Sequence, residues 1–248
     1  MRVVLSLLIS CLLSVAVHAQ QKELRDTIAA TMMKISVSED DSVKMVCAGE
    51  IEEYLKQLAF GSYSLQSPVK YLGYKQDQKS GIELFAWNFP VKGELGYYNL
   101  LRFKDGRSYT MKFIPGDQNT MVSYLFYDFV PFQSGGKQYL VLLGVAPGKK
   151  TNKKVVQIAA FEENGQVNLN IPLLRKGNSR SPFLLFEYSK EGSMTLKPDK
   201  NGKRIIFDHL SPSDKRYEGY FMFYGPDGFY NALELKKGEW WFVENVKL

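Results

Sequence analysis

Residues 207–230, "FDHLSPSDKRYEGYFMFYGPDGFY", carry six side chains of the kinds that hydrolases use: Asp208, His209, Ser211, Asp214, Glu218 and Asp227. A serine hydrolase needs a base within hydrogen-bond reach of its nucleophile and a third group that orients the base. His209 lies two residues from Ser211, but turn neighbours rarely point at one another, and neither a G-x-S-x-G elbow nor an S-x-x-K set with its partner motifs is present. Paired carboxylates held roughly 5–9 Å apart hydrolyse glycosides without histidine. Asp208, Asp214, Glu218 and Asp227 therefore outline an alternative, a carboxylate-dependent, glycosidase-like hydrolase with its site in 208–227. The favoured reading is structural and assigns no catalytic residue. In it a strand "KRIIF" ends at a Ser-Pro break, since proline has no N–H for a ladder. Asp208 and Ser211 bond nearby amides. "YEGYFMFYG" is a strand with Tyr220, Met222 and Tyr224 on one face and Phe221 and Phe223 on the other, and "PDG" turns the chain into "FYNALEL".

The first residues, "MRVVLSLLISCLLSVAVHAQQ", narrow the available chemistry. A positive charge, an apolar run and small residues before a polar switch predict a secretory signal over 1–19, cleaved after Ala19, and hence an exported, periplasmic or secreted protein. A lipobox-like Leu8-Ile9-Ser10-Cys11 offers the alternative of a lipid anchor through Cys11. Of the chain's 2 histidines and 2 cysteines, His18 and Cys11 lie in this leader, leaving His209 and Cys47. One histidine and one cysteine exclude an internal disulfide and a Cys/His zinc site, and neither a metal nor a cofactor is expected. "PDKNGK" (198–203) lacks the acidic run and distal glutamate of a calcium loop. The net charge of +6 is spread along the chain. The basic stretch "GKKTNKK" (148–154) reads as a solvated hairpin tip, and no nucleic-acid partner is expected. No later apolar run reaches the ~18 residues of a membrane helix, so no transmembrane segment remains after signal cleavage.

Two stretches that follow have helical spacing: Leu24, Ile28, Met32 and Ile35, then Val43, Cys47, Ile51, Tyr54, Leu55 and Leu58. Ser38 with Asp41 suits the cap of the second, and Cys47 falls on its apolar stripe as a small core residue. "FGSYSLQSP" is a connector. From Val69 onward, short β-branched and aromatic runs alternate with turn dipeptides at 105–106, 164–165, 201–202, 227–228 and 237–238. These dipeptides keep no constant period, which argues against a repeat array. The predicted fold is mainly β (α+β): a large antiparallel β meander, as sandwich, barrel or propeller-like blades, with two N-terminal helices packed on it. The expected organisation is a signal peptide (1–19), a helical segment (20–62) and an antiparallel β domain (63–248).

Aromatic residues make up 14% of the chain. Most suit sheet core and cross-strand pairs. The adjacent pairs Tyr97-Tyr98 and Trp240-Trp241 say more, because neighbouring strand residues point to opposite faces. Either both faces are covered there or one ring of each pair is exposed. Candidate binding residues are His209, Asp208, Asp214, Glu218, Tyr224, Asp227, Tyr230, Trp240 and Trp241.

The runs "IELFAWNF", "QYLVLLG", "LLFEYSKEGSMTLKPDKNGKRIIFDHLSPSDKRYEGYFMFYGPDGFY" and "KKGEWWFVENVKL" resemble a group of exported, functionally uncharacterised β-rich proteins of Bacteroidota, over residues 65–248 and most strongly toward the C-terminus. The resemblance implies export and draws attention to 207–230, but transfers no activity. Where that group has an acidic loop after "LLG", this chain has "VAPGKK", and "VVQIAAF" replaces an "IDVL" run. The function expected from the sequence is that of an exported, non-catalytic, envelope-associated protein that binds an unknown protein or glycan of the cell envelope through an aromatic-rich β surface.

Overall fold

The computed structural model describes residues 2–63, 68–117, 121–162 and 164–247, with side chains from Ala19 onward. The side chains of residues 1–18 of the expected leader, Cys11 included, and the middle of the connector lie outside the described residues. The chain divides into two compact units, Met1–Asn119 and Thr120–Leu248. The helices therefore share a unit with the first strands, and the region expected as one β domain from residue 63 is divided between two.

In the first unit, α1 (Arg2–Val37) passes through Ala19 without a break, because no proline or glycine interrupts that stretch. α2 (Asp41–Gln57) begins at Asp40, whose carboxylate accepts the amide protons of Ser42 (2.7 Å) and Val43 (3.4 Å). The cap is thus Asp40 and not the expected Ser38–Asp41 pair. Ser38 Oγ accepts from Asp40 N–H instead, and Asp41 accepts from Lys92 N–H at 2.8 Å. The strands β1 (Gly73–Asp77), β2 (Ile82–Val91), β3 (Glu94–Phe103) and β4 (Ser108–Phe113) form an antiparallel meander in sequence order. Ile28, Met32, Ile35, Cys47, Ile51, Leu55 and Leu58 of the two helical stripes pack on Phe85, Trp87, Phe89, Tyr98 and Leu100. Tyr97 and Tyr98 are both buried, so both faces of β3 are covered there.

The second unit holds two sheets. β5 (Leu125–Ser134), β6 (Lys137–Pro147), β7 (Thr151–Phe161) and the short β8 (Val167–Asn168) are followed by β9 (Leu174–Lys176), β10 (Ser179–Ser181), β11 (Phe183–Ser189), β12 (Leu196–Pro198), β13 (Arg204–Pro212), β14 (Tyr224–Lys236) and β15 (Glu239–Val243). One sheet runs β11-β7-β6-β5 with β8 beside β7, and the other runs β10-β9-β15-β14-β13-β12. Val130, Val141, Leu143, Val156 and Ile158 of the first sheet share a core with Leu174, Ile205, Phe207, Leu233 and Trp240 of the second. Burying one apolar face of each sheet against the other is the sandwich solution. A single parallel pairing, β15 with β9, interrupts the otherwise antiparallel ladders of the second unit.

Candidate functional site

The chemistry-bearing stretch forms the hairpin of β13 and β14, and its geometry departs from the expected turns. β13 continues through Asp208, His209, Leu210 and Ser211 to Pro212, which faces Tyr224 at the strand's end, where a missing N–H is tolerated. "PDG" lies inside β14 and does not close the hairpin. The ladder pairs Asp208 with Tyr230 and Leu210 with Pro226, so His209 alone stands opposite Asp227, Gly228 and Phe229 in a bulge. Gly228 has φ +92°, which only glycine adopts at little cost.

The bulge turns Asp227 toward the neighbouring strand. Its carboxylate lies 2.6 Å from His209 Nδ1 and accepts from Phe229 N–H at 3.2 Å, and the Ser211 hydroxyl also bonds to it. His209 and Ser211 are two apart on a strand and so share a face. Burial alone would raise the Asp227 carboxyl, but the imidazole, the amide and the hydroxyl together hold it below its ordinary 3.8. A nucleophilic serine needs histidine between itself and the acid. Here the acid sits between serine and histidine, an arrangement that pins a bulge and leaves Ser211 without a base from this pair.

The depressed carboxyl has a testable consequence. A group whose folded pKa lies below its unfolded value adds stability above the unfolded value and loses it as pH falls through the folded one. The stability gap between the wild type and Asp227→Asn should be open near neutral pH and close as pH falls below the ordinary 3.8. Melting temperature against pH for the two proteins measures this. A gap that persists unchanged at low pH would show that Asp227 acts by shape and not by charge.

The remaining carboxylates are engaged separately. Asp208 is buried, and Oδ2 accepts from Thr195 N–H at 2.6 Å while its own N–H donates to the Thr195 carbonyl. Nearby, Lys154 donates to the Met194 carbonyl; burial lowers its pKa and the charge of Asp208 opposes that shift. Together these bonds tie the approach to β12 onto both sheets. Asp214 caps the 3-10 turn Lys215–Tyr217 by accepting from Arg216 N–H, and it holds the Arg216 guanidinium at 3.0 Å through each oxygen. Glu218 is exposed. Among the described residues, Asp208, Asp214 and Asp227 bond to separate partners, and none of these bonds joins one carboxylate to another. No group of three or more His, Cys, Asp or Glu in the described chain is placed to hold a metal ion.

The aromatic segment also differs from expectation. In place of a strand, residues 215–223 form two 3-10 turns, Lys215–Tyr217 and Phe221–Phe223, separated by Gly219 at φ +83°. Tyr220 N–H donates to the Tyr217 carbonyl and Phe223 N–H to the Tyr220 carbonyl. Strand alternation is thereby lost, and Tyr220 (63% exposed), Phe221, Met222 and Phe223 all reach solvent in succession. Phe229, in the bulge of the same hairpin, is 60% exposed. Tyr217 stacks on Phe223 with 4.1 Å between centroids, and the Tyr224 hydroxyl accepts from Gly219 N–H at 3.0 Å, which stiffens the segment. The sequence signal for this was Gly219 itself, because a residue at positive φ interrupts a ladder.

Other expected residues lie elsewhere. Trp240 is fully buried in the core of the second unit, edge-on to Phe132. Trp241 is half-buried on the opposite face under the Arg175 guanidinium, 4.9 Å from its ring. Tyr230 is half-buried opposite Asp208. The structure therefore brings His209, Ser211 and Asp227 together, places the exposed rings on the same hairpin, and assigns Trp240 to packing. No known family model matches the chain, and no curated protein matches it.

Proposed function

We propose that this is an exported, non-catalytic binding protein of the cell envelope that docks a partner protein through the β13–β14 hairpin. The observation that carries this reading is the run Tyr220, Phe221, Met222 and Phe223, four consecutive large apolar side chains held in solvent with Phe229 on the same hairpin. Rings and methionine are enriched in interface centres, and a rigid ring buries much area at low entropic cost. Asp214, Lys215, Arg216 and Glu218 supply a rim of both signs beside them. The bulge pinned by Asp227 and the ring stack of Tyr217 on Phe223 prepay the ordering of the loop, which favours affinity. Export is supported by the charged, apolar and small-residue pattern of 1–19. Hydrolysis finds little support in the hairpin, where Asp208, Asp214 and Asp227 are occupied by backbone or by a basic side chain and Glu218 stands exposed.

The test uses Tyr220→Ser/Phe221→Ser/Phe229→Ser in one chain. Partners cross-linked to the wild type in intact cells are identified, purified and titrated against both proteins. Binding should weaken by at least about tenfold, or 1.4 kcal/mol, with the melting temperature unchanged because these rings are exposed. Equal affinity of the two proteins would overturn the hairpin as the docking surface. Turnover of a glycan, ester or peptide by the purified wild type would overturn the non-catalytic reading.

A further inference from the structure

A second feature lies away from the hairpin's exposed rings. Residues Glu162, Gln166–Asn170, Pro182 and Phe183 line an open cleft of about 510 Å³, within the 300–1,000 Å³ of small-molecule sites. One wall is the chain between β7 and β9, and the other is the start of β11. Between them lies Gln157, a buried carboxamide on β7. Its Nε2 is within hydrogen-bonding distance of the carbonyls of Leu169 (2.8 Å), Pro182 (3.1 Å) and Ile158 (3.1 Å). A buried amide costs several kcal/mol unless bonded, and here its bonds run to both walls. Ile158 N–H adds a bond to the Pro182 carbonyl at 2.9 Å. The spacing of the cleft is therefore set by the fold and not left to the ligand.

The lining selects a ligand class. Asn168 Oδ1 accepts from Asn170 N–H at 2.9 Å, which fixes that turn and leaves the Asn168 amide protons directed elsewhere. Among the described residues, the carboxamides of Gln166 and Asn170 have no hydrogen-bond partner. A carboxamide sets a donor beside an acceptor, which suits adjacent hydroxyls that each donate and accept. Phe183 is 47% exposed and presents a ring for an apolar C–H face. No lysine or arginine lines the cleft, which disfavours phosphates and other anions, and carboxamides interrupt the apolar Val167, Leu169 and Pro182, which disfavours a lipid chain. We propose that this cleft binds a neutral oligosaccharide, its hydroxyls on Gln166, Asn168 and Asn170 and one pyranose face on Phe183. The inference does not depend on the hairpin docking a protein, since it uses none of the hairpin's residues.

Cellotriose and triacetylchitotriose, both neutral, are the probes. They are titrated into the isotope-labelled protein while amide signals are followed, with Asn170→Ala, Phe183→Ala, Gln157→Leu and the triple hairpin variant measured alongside. The expected result is saturable binding of one probe at a Kd of about 1 mM or tighter, with shifts confined to 164–170 and 182–183. Asn170→Ala and Phe183→Ala, both at exposed positions, should each weaken binding by about tenfold or more without altering the spectrum elsewhere. Gln157→Leu should weaken it by freeing the walls, and the hairpin variant should leave it intact. The absence of shifts with both probes at about 10 mM, or binding that survives both Asn170→Ala and Phe183→Ala, would overturn the proposal. Binding lost only in the hairpin variant would overturn it too, by moving saccharide recognition to that surface.

Discussion

Arg102→Met is expected to destabilise the unit Met1–Asn119 by about 3–5 kcal/mol, the range for removing one partner of a buried ion pair. Glu83 is fully buried on β2 and Arg102 is buried on β3. Glu83 Oε1 accepts from Gly61 N–H at 2.8 Å and from the Tyr74 hydroxyl at 2.7 Å, and Oε2 lies 3.7 Å from Arg102 Nη1. The guanidinium in turn donates to the carbonyls of Leu55 (2.7 Å) and Leu58. These belong to the end of α2, where carbonyls lack intrahelical partners and a positive charge is favoured. Burial pulls the Arg102 pKa down while Glu83 opposes it, and burial followed by the Glu83 contact raises Tyr74. Methionine would leave the buried carboxylate without its counter-charge and the helix carbonyls without their donor. The double variant Arg102→Met/Glu83→Met should lose less than the single one, because no charge is then stranded. Denaturant unfolding measures both. A single variant within about 0.5 kcal/mol of wild type would show that the network contributes little.

Trp240→Ala is expected to cost about 3–5 kcal/mol, the range for truncating a buried aromatic, whereas Trp240→Phe should cost well under half as much. The indole is fully buried and meets Phe132 edge-on at 5.8 Å within a core drawn from both sheets of the second unit. Its Nε1 has no hydrogen-bond partner among the described residues. Removing an unsatisfied buried donor recovers its desolvation cost, which offsets part of the lost contact area. Phenylalanine keeps the ring and discards the N–H, while alanine opens a cavity. Equal losses for the two variants would mean that the N–H is satisfied in solution. Neither variant should change partner affinity in the properly folded protein, since the ring does not reach the surface.

The helical stripes were legible because period 3.6 places Ile28, Met32, Ile35, Cys47, Ile51 and Leu55 on faces that must be buried, whatever covers them. Most strands were legible from their β-branched and aromatic runs. The reading failed where local patterns were ambiguous. "YEGYFMFYG" alternates as a strand does, yet its 3-10 turns are held by Asp214 and by Tyr217 stacking on Phe223, contacts absent from the pattern. "PDG" has the composition of a hairpin turn, and the same requirement for positive φ is met by a bulge. The Gln157 tie and the Glu83–Arg102 network had no local signature, since, Ile158 apart, their partners lie 9 to 47 positions away.

The amino-acid sequence by itself determined most of the helices and strands, the helix faces and the poverty of histidine and cysteine, because periodicity, turn chemistry and composition act over a few residues. The tertiary structure alone decided which sheet each strand joined, that Asp227 stands between His209 and Ser211, that Trp240 packs inward while Tyr220–Phe223 remain in solvent, and that a buried amide holds a cleft open. These depend on register and on contacts between distant segments, where a shift of one residue reverses which face a side chain occupies.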